Sequence, residues 1–307
     1  TGKGSSSGSM FIHTGNSSTG ASGSLEIKKG LAFNDGGSIK MKAGDSVTKS
    51  GGSVQIHAGD SDLATGGSLS ISSGRSAAGA SGSIDIKTGN GYGSTQQLQL
   101  STGDAIAGQT GSITVKTGRS VNGAAGSVVL KAGGESASSS VPGDIIMIAG
   151  DNSESTGGSL ILNSGAALSS SQGPTQSGHI DISSVASAVS GGVSIRSGAS
   201  SSHSGAVKIQ TGSSTGASGN IEMTTGANAG ELSGQINIAA GESSSSSGVG
   251  GSVMISSGSS GNAGGSVTLA AGAGRLNGGD INMITGNSDG AKSGMLSFAT
   301  GSGSESG

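Results

Sequence analysis

A short phrase repeated from end to end constrains this chain more than any single residue does. In its clearest copy, Gly82-Ser83-Ile84-Asp85-Ile86-Lys87-Thr88-Gly89, glycines bracket a run in which Ile84, Ile86 and Thr88 fall on one side and Ser83, Asp85 and Lys87 on the other. That two-residue period is the pattern of a half-buried β-strand. Marking each copy by its first inward apolar residue gives Met10, Leu25, Ile39, Val54, Leu69, Ile84, Leu98, Ile113, Val128, Ile145, Leu160, Ile180, Val193, Val207, Ile221, Ile236, Val253, Val267, Ile281 and Leu296. These are twenty copies, most of them 14 or 15 residues apart. One copy offers two sizeable apolar side chains and has nothing to bury them against; stacked copies do.

The expected fold is therefore all-β: a β-solenoid, β-helix-like, of about 20 Gly/Ser-rich repeats of 14–15 residues. The favoured geometry has two repeats per coil and two parallel sheets facing each other, roughly 10 Å apart. The alternative is one repeat per coil, with Phe33, Val47, Leu63, Ile106, Val121, Leu168 and Leu276 of the connecting stretches lining the inside. The expected core ladder includes Ile12, Ile27, Ile56, Ile71, Ile84, Ile86, Ile113, Val115, Ile182, Ile195, Ile221, Ile238, Ile255 and Ile281. β-branched residues at most of these sites suit a packed strand face.

The third inward position of the early copies is small, as at Ala43, Ala58, Ser73 and Thr88, with Lys29 the exception. A lysine there has to snorkel round the strand end or mark a departure from register. In the connections, Asp45, Asp60, Asp104, Asp151, Asn16, Asn90 and Asn287 follow a closing glycine. Asx side chains at such a place hold turns, and glycine supplies positive φ.

Residues 1–307 are read as one continuous solenoid with irregular rim loops at 134–142 and 166–177, where extra length costs little. Thr1 and Gly2 match the close of one copy, and Ser306 and Gly307 match the opening of the next. That phase leads to the expectation of a window from a longer repetitive chain. Copy ten differs in kind, because Ile146 and Ile148 put apolar groups on the outward side and Ile161 follows in the next copy. These three form a candidate lateral contact.

Composition enters as a set of exclusions. There are 64 glycines, 2 prolines and 1% aromatic residues, with no Gly-X-Y period, which argues against collagen. A Gly/Ser linker would scatter its apolar residues, and here they alternate. The net charge of -3, from 15 basic and 18 acidic residues, sets up no field for nucleic acid, and aromatic platforms for single strands are lacking. The longest apolar run, Ile145 to Ala149, is too short for a bilayer span, so no membrane insertion is expected. With no cysteine there is neither a disulfide framework nor a sulfur-based zinc site.

Chemistry-bearing groups are sparse. His13, His57, His179 and His203 lie far apart in the repeat, and Asp85, Asp144, Asp181 and Asp280 alternate with neutral residues and make no acid/base pair. Calcium-binding rolls keep aspartate at fixed places, whereas Leu31, Arg75, Arg119 or Ala166 replaces it here. No catalytic residue, cofactor site or metal site is expected. Asn16-Ser17-Ser18 is a candidate N-glycosylation acceptor.

In repeat style the chain resembles the β-solenoid stalks and fibres of surface adhesins and extracellular matrices. That resemblance implies a passive mechanical role. The expected function is an extracellular structural protein, a rigid stalk, fibre or matrix filament, self-associating end to end or laterally and carrying a polysaccharide or glycan coat. The alternative is a binding module with an ice-binding or glycan-binding surface. Against ice, the outward pairs change from Glu26/Lys28 through Thr114/Lys116 to Asn282/Ile284 and match no single lattice.

Overall fold

In copy ten the side chains alternate as the sequence leads one to expect. Ile145 and Met147 are 53% and 56% exposed, while Ile146 and Ile148 between and after them are 75% and 82% exposed. A computed structural model describes residues 7–133, 142–167, 176–230 and 232–302 of the chain. It divides into two units, Thr1–Ile148 and Ala149–Gly307. Both are built the same way, from segments joined by loops.

The expected β-solenoid is not present among the described residues. Among the described residues there is no strand and no helix, and the segments are coil. Two facing parallel sheets and the alternative of one repeat per coil are both overturned by that finding. The physical reason lies in the backbone. A strand requires its N–H and C=O groups to meet those of a neighbour at hydrogen-bonding distance. Here the only backbone–backbone bonds among the described residues are ten that close loops, and no segment bonds to another along its length.

Without a ladder there is no core. No described residue is buried, and Ile12, Ile27, Ile56, Ile71, Ile84, Ile86, Ile113, Val115, Ile182, Ile195, Ile221, Ile238, Ile255 and Ile281 are all 52–72% exposed. The accessible surface is 30842 Å². A compact chain of this mass would expose about 11,000 Å² and a fully unfolded one about 41,000 Å².

Burial rises above this level at five described residues only: Ala43, Ala132, Ala149, Ser197 and Thr285 are half-buried. Each occupies the third inward position, directly before a closing glycine. The third inward residue is therefore where the fold is tightest.

The expected rim loops fall largely outside the described residues, as do the terminal pairs Thr1–Gly2 and Ser306–Gly307, together with Leu168 and Pro174. Pro142 and the flanks Ala166, Ala167, Gln176 and Ser177 are described and exposed.

Candidate functional site: glycine-closed loops and exposed aliphatic faces

The loops are where sequence and geometry meet most closely. The amide of Gly52 donates to the carbonyl of Gly44 at 2.9 Å, Gly67 to Gly59 at 2.8 Å, and Gly82 to Gly74 at 2.9 Å. The same bond joins Gly158 to Gly150, Gly178 to Gly165, Gly251 to Gly241, Gly265 to Gly258, Gly279 to Gly272 and Gly294 to Gly286. It forms across the short connection Gly258–Gly265 and the long one Gly165–Gly178 alike. Loop length thus does not decide closure.

Where the bond forms, the opening glycine comes close to the third inward residue. A methyl carbon built on Gly52 would lie 3.2 Å from the Cβ of Ala43 and 3.2 Å from the amide nitrogen of Gly44. On Gly251 it would lie 3.1 Å from the Cβ of Ala240, and on Gly158 3.3 Å from that of Ala149. The opening glycine is needed because the backbones approach closely, not for a left-handed conformation. Only Gly108 and Gly133, at φ 115° and 64°, have positive φ among the described residues.

A small third residue accompanies most of these bonds without ensuring them: Ser197 stands before the Gly198–Gly205 loop, which lacks one. Ala43, Ala58, Ser73, Ala149, Ser164, Ala240, Ser257 and Ala271 stand in loops that carry the glycine bond. Loops with Thr14, Thr102, Thr117, Thr211 or Thr225 there show none, and Thr285 alone combines a threonine with the bond. A methyl on Gly23 or Gly126 would sit 3.6 or 3.7 Å from the methyl of Thr14 or Thr117, and one on Gly234 3.3 Å from the Cβ of Thr225. Lys29 resolves its conflict by folding its stem over Gly37, where an added methyl would collide with Cε and Nζ.

A second element recurs two residues after the closing glycine. There Ser17, Ser46, Ser61, Ser76, Ser120 and Ser288 accept, through Oγ, the amide proton of the residue three further on, at 2.8–3.1 Å. Asn152 accepts from Glu154 and Ser155, and Asn228 from Gly230. Ser200, Ser214 and Ser260 accept from the amide two residues on. The turn-holding residue is therefore one place later than Asp45, Asp60 or Asn16. The Gly-x-Ser recurrence is visible in the sequence, and its hydroxyl accepts backbone amides as an Asx side chain does. Asp45 instead pairs with Lys42 at 2.7 Å.

The remaining side chains stay apart. Glu26–Lys28 and Asp85–Lys87 are exposed ion pairs at 3.0 and 2.7 Å within single segments. His13 contacts the carbonyl of the adjacent Thr14, His203 contacts Ser202 Oγ, and His57 and His179 are exposed elsewhere in the chain. Among the described residues there is no cavity and no cluster of three metal-ligating groups. No helix among them is long and apolar enough to cross a membrane. Asn16 is exposed; Ile146 and Ile148 end the first unit and Ile161, 72% exposed, lies in the second.

The chemically distinctive surface is thus the aliphatic one. From Leu25 to Leu296, the first inward residue of every copy lies between 51% and 59% exposed. No protein-family model, curated protein or solved structure matches the chain.

Proposed function

We propose that this chain is an extracellular structural protein, a component of a rigid stalk, fibre or matrix filament, and that it performs no catalysis. One observation carries the proposal: the near-identical exposure of the first inward aliphatic residue from Leu25 to Leu296 makes copies two to twenty alike at that position. A mechanical part made by repetition needs such equivalence. A catalytic or small-ligand site needs one group of residues set apart from the rest.

Low charge supports the same function, since long assemblies of one protein accumulate little repulsion when only 11% of residues are charged. Self-association end to end or laterally supplies length and thickness. The Ser/Thr-rich loops and Asn16 are where a polysaccharide or glycan coat attaches. Electron microscopy of the full chain at rising concentration tests the proposal: filaments or bundles are expected, and a chain that stays dispersed and monomeric throughout rejects it.

A further inference from the structure

We propose that each segment pairs, backbone to backbone, with the equivalent segment of a second copy of this chain, parallel and in register, so that the β-ladder not made among the described residues of one chain forms between chains. This rests on the filament function proposed above and names its partner. Ser83–Thr88 and its counterparts carry a strand-like alternation of side chains but make no segment-to-segment backbone bond among the described residues. Rows of open donors and acceptors beside alternating aliphatics are a template for strand addition.

The inward side chains need the same partner. Leu25 to Leu296 are covered to about half within the chain, and the other half stays open in every copy. A copy stacked above and another below, about 4.8 Å away, cover what remains and line identical side chains into columns.

The identity of the occupant follows from irregular spacing. Leu160 and Ile180 are 20 residues apart and Ile180 and Val193 only 13, Val128 and Ile145 as well as Ile236 and Val253 are 17 apart, and the rest are 14 or 15. A partner displaced by one copy, running antiparallel, or of another sequence falls out of phase at these points. The same chain in register matches at all of them. Charge is compatible, because Glu26–Lys28, Lys42–Asp45 and Asp85–Lys87 neutralise each layer locally before like stacks on like.

The chain has no cysteine, so a single introduced thiol carries a nitroxide label uniquely. The test uses the full chain as Thr114→Cys and, separately, Lys208→Cys, both at outward positions. In assembled material the three-line spectrum is expected to collapse to one exchange-narrowed line and to return on dilution with excess unlabelled chain. The unaltered chain gives a second measurement. With carbonyl ¹³C on its three phenylalanines, in-register stacking gives carbon–carbon distances of about 4.8 Å. Filaments that keep three-line spectra at both sites, and show only longer ¹³C distances, overturn the pairing and leave the filament function standing. A wild-type chain that forms no assembly overturns both.

Discussion

The Cα of Gly52 sits directly against the side chain of Ala43, so closely that a methyl group on Gly52 would lie 3.2 Å from the Ala43 Cβ. The Gly52 amide reaches the Gly44 carbonyl at 2.9 Å in the same approach. Counting in steps of two from this contact puts Val54 and Ile56 on the side of their segment that carries Gly52, and Met41 on the side that carries Ala43. Loop closure and the aliphatic faces therefore share one side of the chain.

Gly52→Ala is expected to weaken loop closure by about 1 to 2 kcal/mol, the cost of overpacking a tight contact. Gly59→Ala should not, because nothing lies within 4 Å of a methyl there and its φ is not positive. That substitution should instead stiffen the chain by about 0.4 to 1 kcal/mol. Amide exchange of residues 52 and 67 reads both effects; equal effects at the two glycines would contradict the assignment.

Ala43→Thr should weaken the Gly52–Gly44 bond, since the loops behind Thr14, Thr102, Thr117, Thr211 and Thr225 lack it and that behind Thr285 keeps it. A scalar coupling across the hydrogen bond, present in wild type and reduced in the variant, checks this. Thr117→Ala is the reverse experiment and should favour the bond between Gly126 and Gly118.

Ser76→Ala deletes the acceptor that holds the Gly79 amide at 2.8 Å. The loop is expected to lose about 0.5 to 1.5 kcal/mol, seen as faster exchange at Gly79, with recovery in Ser76→Asn. Arg75→Ala, one residue earlier, should leave Gly79 exchange unchanged.

Asp85→Lys places two lysines, at 85 and 87, in every layer of an in-register stack. Assembly should slow several-fold at low ionic strength and recover in high salt, as screening shortens the range of repulsion. Turbidity or light scattering against salt measures it. An assembly rate indifferent to salt in this variant would mean that like residues do not stack.

Ile146→Lys combined with Ile148→Lys is expected to thin bundles without shortening individual filaments, because both side chains point to the outward, exposed side. Micrographs compare widths. Unchanged bundling would remove this pair from the lateral contact.

Much of the local design was legible in the chain itself. The alternation at Ile145, Ile146, Met147 and Ile148 appears in the structure as the sequence orders it. The smallness of Ala43 and Ala58 also has a clear structural use. The serine two places after Gly44, Gly59 or Gly74 is equally readable, because its hydroxyl accepts a nearby backbone amide. The hydrogen bond between Gly52 and Gly44 was not readable, because nothing in a glycine reports how near another backbone comes.

The sequence by itself determined the period of two along each segment, the glycine punctuation and the absence of any thiol, since these are properties of neighbouring residues. Only the tertiary structure decided that the segments find no backbone partner among the described residues and that Ile84 and its equivalents stay half open. The reason is physical: alternation is local, whereas a ladder depends on where a distant stretch of backbone lies.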